Sequence, residues 1–177
     1  MRQIYSEWYH VMDEQGETPM SRAMKAGHPD LAGMVSRQMK EDAPEISAGD
    51  SLLQRAAYWG LDSAVRKLLW AGANPDVRDV RGETPLHKAV RRGHTEVVKA
   101  LLMSEEVGIN VADGYGMTPL HWVAINGRSD LAKLLLSFGA DVTARERRMG
   151  CLTPLALAEL MGYYELAEMI ALYGGSW

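Results

Sequence analysis

At 177 residues, 47% hydrophobic and 24% charged, the chain has the make-up of a globular protein able to bury a core of useful size. Its formal net charge of −4 supplies no global field that would recruit nucleic acid. A single cysteine, Cys151, excludes an internal disulfide framework and leaves no set of thiolates for zinc.

The N-terminal stretch MRQIYSEWYHVMDEQGE has no long apolar run and carries acids early, so no secretory signal is expected. No segment approaches the roughly 18 uninterrupted apolar residues of a spanning helix, so no membrane helix is expected and the expected location is the cytoplasm. From Thr18 onward the chain repeats itself. "TPMSRAMKAGH" at Thr18 returns as "SLLQRAAYWGL" at Ser51, "TPLHKAVRRGH" at Thr84, "TPLHWVAINGR" at Thr118 and "TPLALAELMGY" at Thr153, at steps of 33, 33, 34 and 35 residues.

Each copy has one internal grammar. A Thr or Ser caps a helix, with Pro in its first turn in four of the five copies. A short apolar run then stops at a glycine suited to the left-handed helix terminus: Gly27, Gly60, Gly93, Gly127 and Gly162. A second helix opens near an acid that the helix dipole favours (Asp30, Asp62, Glu96, Asp130, Glu165), and its apolar residues follow helical spacing, as in Val97, Val98, Leu101 and Leu102. The unit ends in a Gly-containing turn such as "AGANPDVRD" (residues 71–79) or "FGADVTARE" (residues 138–146).

Thr84-Pro85-Leu86-His87-x-Ala89, Gly93-His94, "LLWAGA" (residues 68–73) and "FGAD" (residues 138–141) resemble the ankyrin repeat, over almost the whole chain, from Asp13 to Gly175. The resemblance implies an all-α fold: helix–turn–helix units joined by β-hairpin-like turns and stacked into a curved solenoid in which neighbours share one core. The units fall at about 13–45, 46–78, 79–112, 113–146 and 147–177 in a single domain, with residues 4–12 expected as a short helix in a 1–12 N-terminal cap. Ser51-Leu52-Leu53-Gln54 departs from the Thr-Pro-Leu-His pattern and follows an acidic stretch, "KEDAPEISAGD" (residues 40–50), expected to form an irregular hairpin. Extra residues fall in "SEEVGIN" (residues 104–110) and "RERRMGCL" (residues 145–152), within turns that an array absorbs. The last unit has Ala156 in the histidine position and reads as a C-terminal cap.

His87 and His121 stand 34 residues apart in equivalent motifs. A catalytic or metal site needs one constellation and not a periodic one. The resemblance implies that each ring bonds the backbone of its own hairpin and the next. His94 reads as a turn residue, and His10 and His28 have no visible partners. No nucleophile elbow, phosphate loop or zinc-helix motif occurs, so no enzyme and no cofactor or metal is expected. Arg147 and Arg148 beside Cys151 would favour a thiolate, although a plain turn residue is the stronger reading.

The expected function is therefore binding. In proteins similar to this one, hairpin tips and the residues before the inter-helix glycine face the concave surface. The first unit offers Glu14, Gln15, Glu17 and Lys25-Ala26 there, and the last Leu160-Met161. The candidate contact set is Tyr58 and Trp59; Arg78, Arg81 and Glu83; Arg91 and Arg92; Tyr115 and Met117; Ile125 and Asn126; Arg147 and Arg148. Tyr, Trp and Arg dominate interface hot spots, so this reads as an apolar anchor near Trp59 and a cationic centre at Arg78, Arg81, Arg91 and Arg92. The alternative is that the aromatics pack on the preceding loop and the arginines are solvated. Trp70 and Trp177 are weaker candidates, and Trp122 reads as core. Residues 1–50 carry five basic and nine acidic side chains. The expected partner is another protein with an acidic, partly apolar segment, bound by a chain that is monomeric alone; nucleic acid is disfavoured, because the arginines are flanked by acids. The first functional expectation is a scaffold or adaptor. The second is a regulatory or inhibitory subunit that masks an enzyme or toxin. The third, an enzyme or small-molecule binder, has no visible site. Asn110 stands where similar eukaryotic proteins can be hydroxylated, and asparagine also suits that turn.

Overall fold

The computed structural model describes residues 51–104, 106–147 and 151–174. The chain divides into two compact units, Met1–Ala48 and Gly49–Trp177, and the described residues all belong to the second. The expected N-terminal cap, the first repeat, the hairpin at residues 40–50, Arg148 and Trp177 lie outside the described residues.

Among the described residues four helix pairs follow one another: α1 (Leu52–Trp59) with α2 (Asp62–Trp70), α3 (Pro85–Arg92) with α4 (Thr95–Leu102), α5 (Pro119–Asn126) with α6 (Ser129–Ser137), and α7 (Pro154–Leu160) with α8 (Tyr164–Gly174). Among the described residues there is no strand, so the fold is the expected all-α stack. The first helix of each pair starts at an extended Ser or Thr, and proline occupies the first turn of α3, α5 and α7, where its missing N–H costs nothing. Gly93 ends α3 at φ +76°, a left-handed conformation that only glycine adopts without strain, and lets the chain reverse into α4.

Inner helices α1, α3, α5 and α7 pack in sequence, and so do outer helices α2, α4, α6 and α8. Between them runs one seam of fully buried side chains, including Leu53, Leu86, Leu101, Leu120, Leu131, Leu135, Leu157 and Ile170. Each buried leucine is worth about 1.5–3 kcal/mol relative to exposure, and truncating one to alanine costs about 2–5 kcal/mol. Ala57, Val90 and Ala124 occupy one equivalent position on successive inner helices, and all are fully buried. At that position the last unit has the exposed Glu159.

Candidate protein-binding surface

Each hairpin is opened by an acid that folds its tip. Asp79 Oδ1 accepts from the N–H groups of Arg81 and Glu83, both at 2.8 Å. Asp113 Oδ1 accepts from those of Tyr115 at 2.8 Å and Met117 at 2.9 Å. The hairpins close when Asp79 N–H donates to Glu83 O at 3.0 Å and Asp113 N–H to Met117 O at 2.8 Å. In the third hairpin Glu146 N–H donates to Leu152 O at 3.1 Å, and Leu152 N–H donates back to Glu146 Oε1 at 3.0 Å.

The tips are joined to one another. Gly114 N–H donates to Arg81 O at 2.7 Å, and Arg147 N–H to Tyr115 O at 2.9 Å. A Cβ on Gly114 would sit 2.7 Å from Arg81 O, so the close approach requires glycine. Arg78 adds a further tie, donating from Nε to Gly82 O at 3.2 Å and from Nη2 to Ala112 O.

A staple at the start of α1, α3 and α5 holds the following hairpin. The Nδ1 atom of His87 accepts from Thr84 N–H at 3.1 Å and lies 2.8 Å from Thr84 Oγ1, while Nε2 bonds Met117 O at 3.0 Å. His121 repeats this with Thr118 and, at 3.2 Å, with Leu152 O. A carbonyl can only accept, so the Nε2–H tautomer is required at both positions. Burial holds both rings below the ordinary histidine pKa, against the opposing pull of the carbonyls they bond. Gln54 performs the same task one unit earlier: Oε1 accepts from Ser51 N–H at 2.8 Å, and Nε2 donates to Glu83 O at 3.0 Å and Val77 O at 3.1 Å. The departure at Ser51–Gln54 is therefore an equivalent staple. His94, the turn residue, bonds Tyr58 O through Nε2 at 3.0 Å.

Several candidate contact residues are occupied by the fold. Glu83 and Met117 follow the tip and turn inward with the closing bond, so both are buried and neither offers its side chain to a partner. Lys88 reaches Asp79 at 2.6 Å and Glu83 at 3.1 Å, and Arg91 pairs with Glu83 at 2.7 Å. One unit on, Trp122 takes the place of Lys88 and donates from Nε1 to Asp113 Oδ2 at 3.1 Å. Trp122 is half-buried against the core and carries the Arg91 guanidinium 4.7 Å from its ring centroid. Tyr58 is buried as well, edge-on to Trp59 at 5.5 Å and beneath the Arg92 guanidinium. Arg91 and Arg92, both in the expected contact set, are thus engaged by the scaffold, each bridging to an aromatic of a neighbouring unit.

What remains outward is a row of tip side chains: Val80, Arg81, Tyr115 and Arg147 are exposed. Arg78 and Arg92 are exposed although engaged, Asn126 is exposed, and Trp59 and Ile125 are half-buried. Val80, a hairpin-tip residue between Asp79 and Arg81, is 79% exposed. Cys151 is exposed in the third hairpin. Asn110 accepts from Asp141 N–H at 2.8 Å and so ties adjacent turns together. Among the described residues no group of three or more His, Cys, Asp or Glu could hold a metal, and no helix is long and apolar enough to cross a membrane.

Comparison with known proteins agrees with this architecture. A family model described as ankyrin repeats (3 copies) matches residues 53–146, more than half of the chain. The chain is 29% identical over 105 residues to Rabankyrin-5 of Homo sapiens, a match covering 59% of this chain and 9% of that protein. It is 37% identical over 148 residues to NF-kappa-B inhibitor alpha of Gallus gallus, covering 78% of this chain and 46% of the relative. It is 30% identical over 171 residues to glycerophosphocholine phosphodiesterase gde1 of Schizosaccharomyces pombe, covering 96% of this chain and 12% of that enzyme. The chain therefore spans less than half the length of each of these relatives. Repeat period, hairpin geometry, the staples and the family match converge, and the chain belongs to the ankyrin-repeat family of protein-interaction scaffolds.

Proposed function

We propose that this chain is a non-catalytic adaptor that holds another protein on its exposed hairpin tips, chiefly Val80, Arg81, Tyr115 and Arg147, with Arg92 and Asn126 contributing from the inner helices. The observation that carries this reading is the backbone bonding between tips, from Gly114 to Arg81 and from Arg147 to Tyr115. It presents these side chains in a preformed row, so little ordering is lost on association. Cations around an aromatic and a valine fit an acidic, partly apolar segment. The non-catalytic part is supported by His87 and His121, whose ring nitrogens are both used by the scaffold.

The test is co-purification from the native host with the unaltered chain and with Arg81→Glu/Tyr115→Ala. Loss of the co-purifying protein from the variant, with helical content retained, supports the reading. Retention at equal yield sinks it.

A second reading is an inhibitory subunit that masks the active surface of its partner. It rests on the likeness, over 78% of this chain, to a relative named as an inhibitor. Assaying the co-purifying protein with and without stoichiometric chain separates the two, since an adaptor leaves its activity unchanged.

A further inference from the structure

Each of the first two tip-folding acids divides its oxygens between two tasks. Asp79 Oδ1 takes the N–H groups of Arg81 and Glu83, while Oδ2 lies 2.6 Å from Lys88 Nζ. Asp113 Oδ1 takes those of Tyr115 and Met117, while Oδ2 accepts from Trp122 Nε1 at 3.1 Å. In both units, then, a side chain of the inner helix holds one oxygen of the acid and so fixes the other on the tip. Asp113 is only 5% exposed. A buried oxygen that loses its donor costs more than the bond itself, so the hold on the tip depends on Trp122.

Arg91 joins the two arrangements. Its Nη1 lies 2.7 Å from Glu83 Oε1, and its guanidinium lies 4.7 Å from the Trp122 ring centroid. Glu83 Oε2 in turn lies 3.1 Å from Lys88 Nζ. The side chains therefore form an unbroken series from the first tip to the second: Asp79, Lys88, Glu83, Arg91, Trp122, Asp113. The Asp79, Glu83 and Lys88 side chains are at most 4% exposed, so salt screens their attraction little. Energetic coupling between two places is carried by contiguous packing and bonding of this kind. One unit on, the places of Arg91 and Trp122 are held by Ile125 and Leu157, which carry neither a charge nor a side-chain donor. The route stops at the second tip.

We propose that Arg91 and Trp122 are positioning residues that tie the Arg81 and Tyr115 tips into one recognition unit. This rests on the reading of the tips as the binding surface and adds a requirement to it: the partner matches two tips held at one fixed spacing.

The test is amide hydrogen exchange of the full chain without a partner, read residue by residue by NMR, with circular dichroism as a check on folding. Trp122→Phe keeps a ring beneath Arg91 and removes the Nε1–H. Exchange quickens about fivefold at Tyr115 and Met117, the effect of one lost hydrogen bond. It quickens about twofold at Arg81 and Glu83, through the weaker hold of Phe on the Arg91 cation. Glu146 and Leu152, in the third hairpin, are unchanged. In an Arg91→Ile chain, adding Trp122→Phe still quickens Tyr115 and Met117 but no longer Arg81 and Glu83. If Arg91→Ile loses its helical signal, Arg91→Gln replaces it.

Unchanged exchange at Arg81 and Glu83 in Trp122→Phe overturns the proposal. So does an equal change at Glu146 and Leu152, which would mean general loosening. An effect on Arg81 and Glu83 that persists without Arg91 also overturns it and assigns the link to the backbone bond from Gly114 to Arg81. With the co-purifying protein, Trp122→Phe weakens binding about fivefold, as the loosened tip requires; undiminished affinity beside quickened exchange denies the link its role in recognition. The tip reading itself is decided separately, by Arg81→Glu/Tyr115→Ala, so the two failures are told apart.

Discussion

The Arg92 guanidinium sits 4.1 Å from the centroid of the Tyr58 ring and donates to the Tyr58 hydroxyl. These residues are 34 positions apart and close to the ends of successive inner helices, so the contact joins two units. A cation held over a desolvated ring contributes about 1 kcal/mol. Arg92→Ala is therefore expected to lower the unfolding free energy by about 1 kcal/mol, and a double-mutant cycle with Tyr58→Ala to show a coupling of similar size. Denaturant titration of the four chains measures this. A coupling of zero would mean that the contact adds nothing and that Arg92 is free for a partner.

The pair Lys88–Asp79 is almost wholly withdrawn from solvent, and Glu83 shares the same ammonium. Burial opposes ionisation of Asp79, but Lys88 and the N–H groups of Glu83 and Arg81 outweigh it and hold its pKa below the ordinary value. Lys88→Met leaves the buried Asp79 carboxylate without its cation and Glu83 with Arg91 alone, and is expected to cost about 3–5 kcal/mol. The next unit supplies the apolar solution at the same places, with Met117, Trp122 and Ile125. The triple change Glu83→Met, Lys88→Trp and Arg91→Ile is expected to recover most of that loss, because a packed apolar set with the Trp N–H on Asp79 replaces the whole network. Equal destabilisation by the single and triple variants would show that the two units do not share one design.

His87, His94 and His121 all have pKa values pushed below 6.5, with burial the largest cause in each. The unfolded chain then takes up protons first as pH falls, so the stabilisation is fully present above about pH 6.5 and is lost as pH drops from there through the lower folded values. Stability of the chain is expected to be level above pH 7 and to decline toward pH 5. Gln54 already performs the staple with a group that does not titrate. The variant His87→Gln/His121→Gln should fold and show a shallower decline, leaving mainly the His94 share. Denaturant midpoints measured from pH 5 to 8 decide it; identical slopes in both proteins would rule the histidines out as the source.

The stack was legible because period and grammar repeat. Thr-Pro starts, glycine stops and helical apolar spacing each specify local structure, and their agreement at steps of 33 to 35 residues leaves one architecture. The histidine reading held for the same reason. The contact set was less legible. Glu83 and Met117 lie beside tip residues in sequence, but the hairpin's closing bond turns them inward, which residue type alone does not reveal. Gln54 looked like a departure because its chemical equivalence to histidine resides in where its amide reaches. That Arg91 and Arg92 are engaged by Trp122 and Tyr58 was not visible, because these aromatics belong to neighbouring units. Tyr58 lies 34 residues before Arg92 but Trp122 lies 31 after Arg91, so no single repeat step pairs both arginines with their aromatics.

The central claim, that a partner sits on the hairpin tips, is tested most directly by amide hydrogen exchange on the complex with the co-purifying protein. The account predicts added protection at residues 79–82 and 113–116, with α2, α4 and α6 unchanged at their outer ends. Protection confined to the outer helices, or no change at either hairpin, would contradict it.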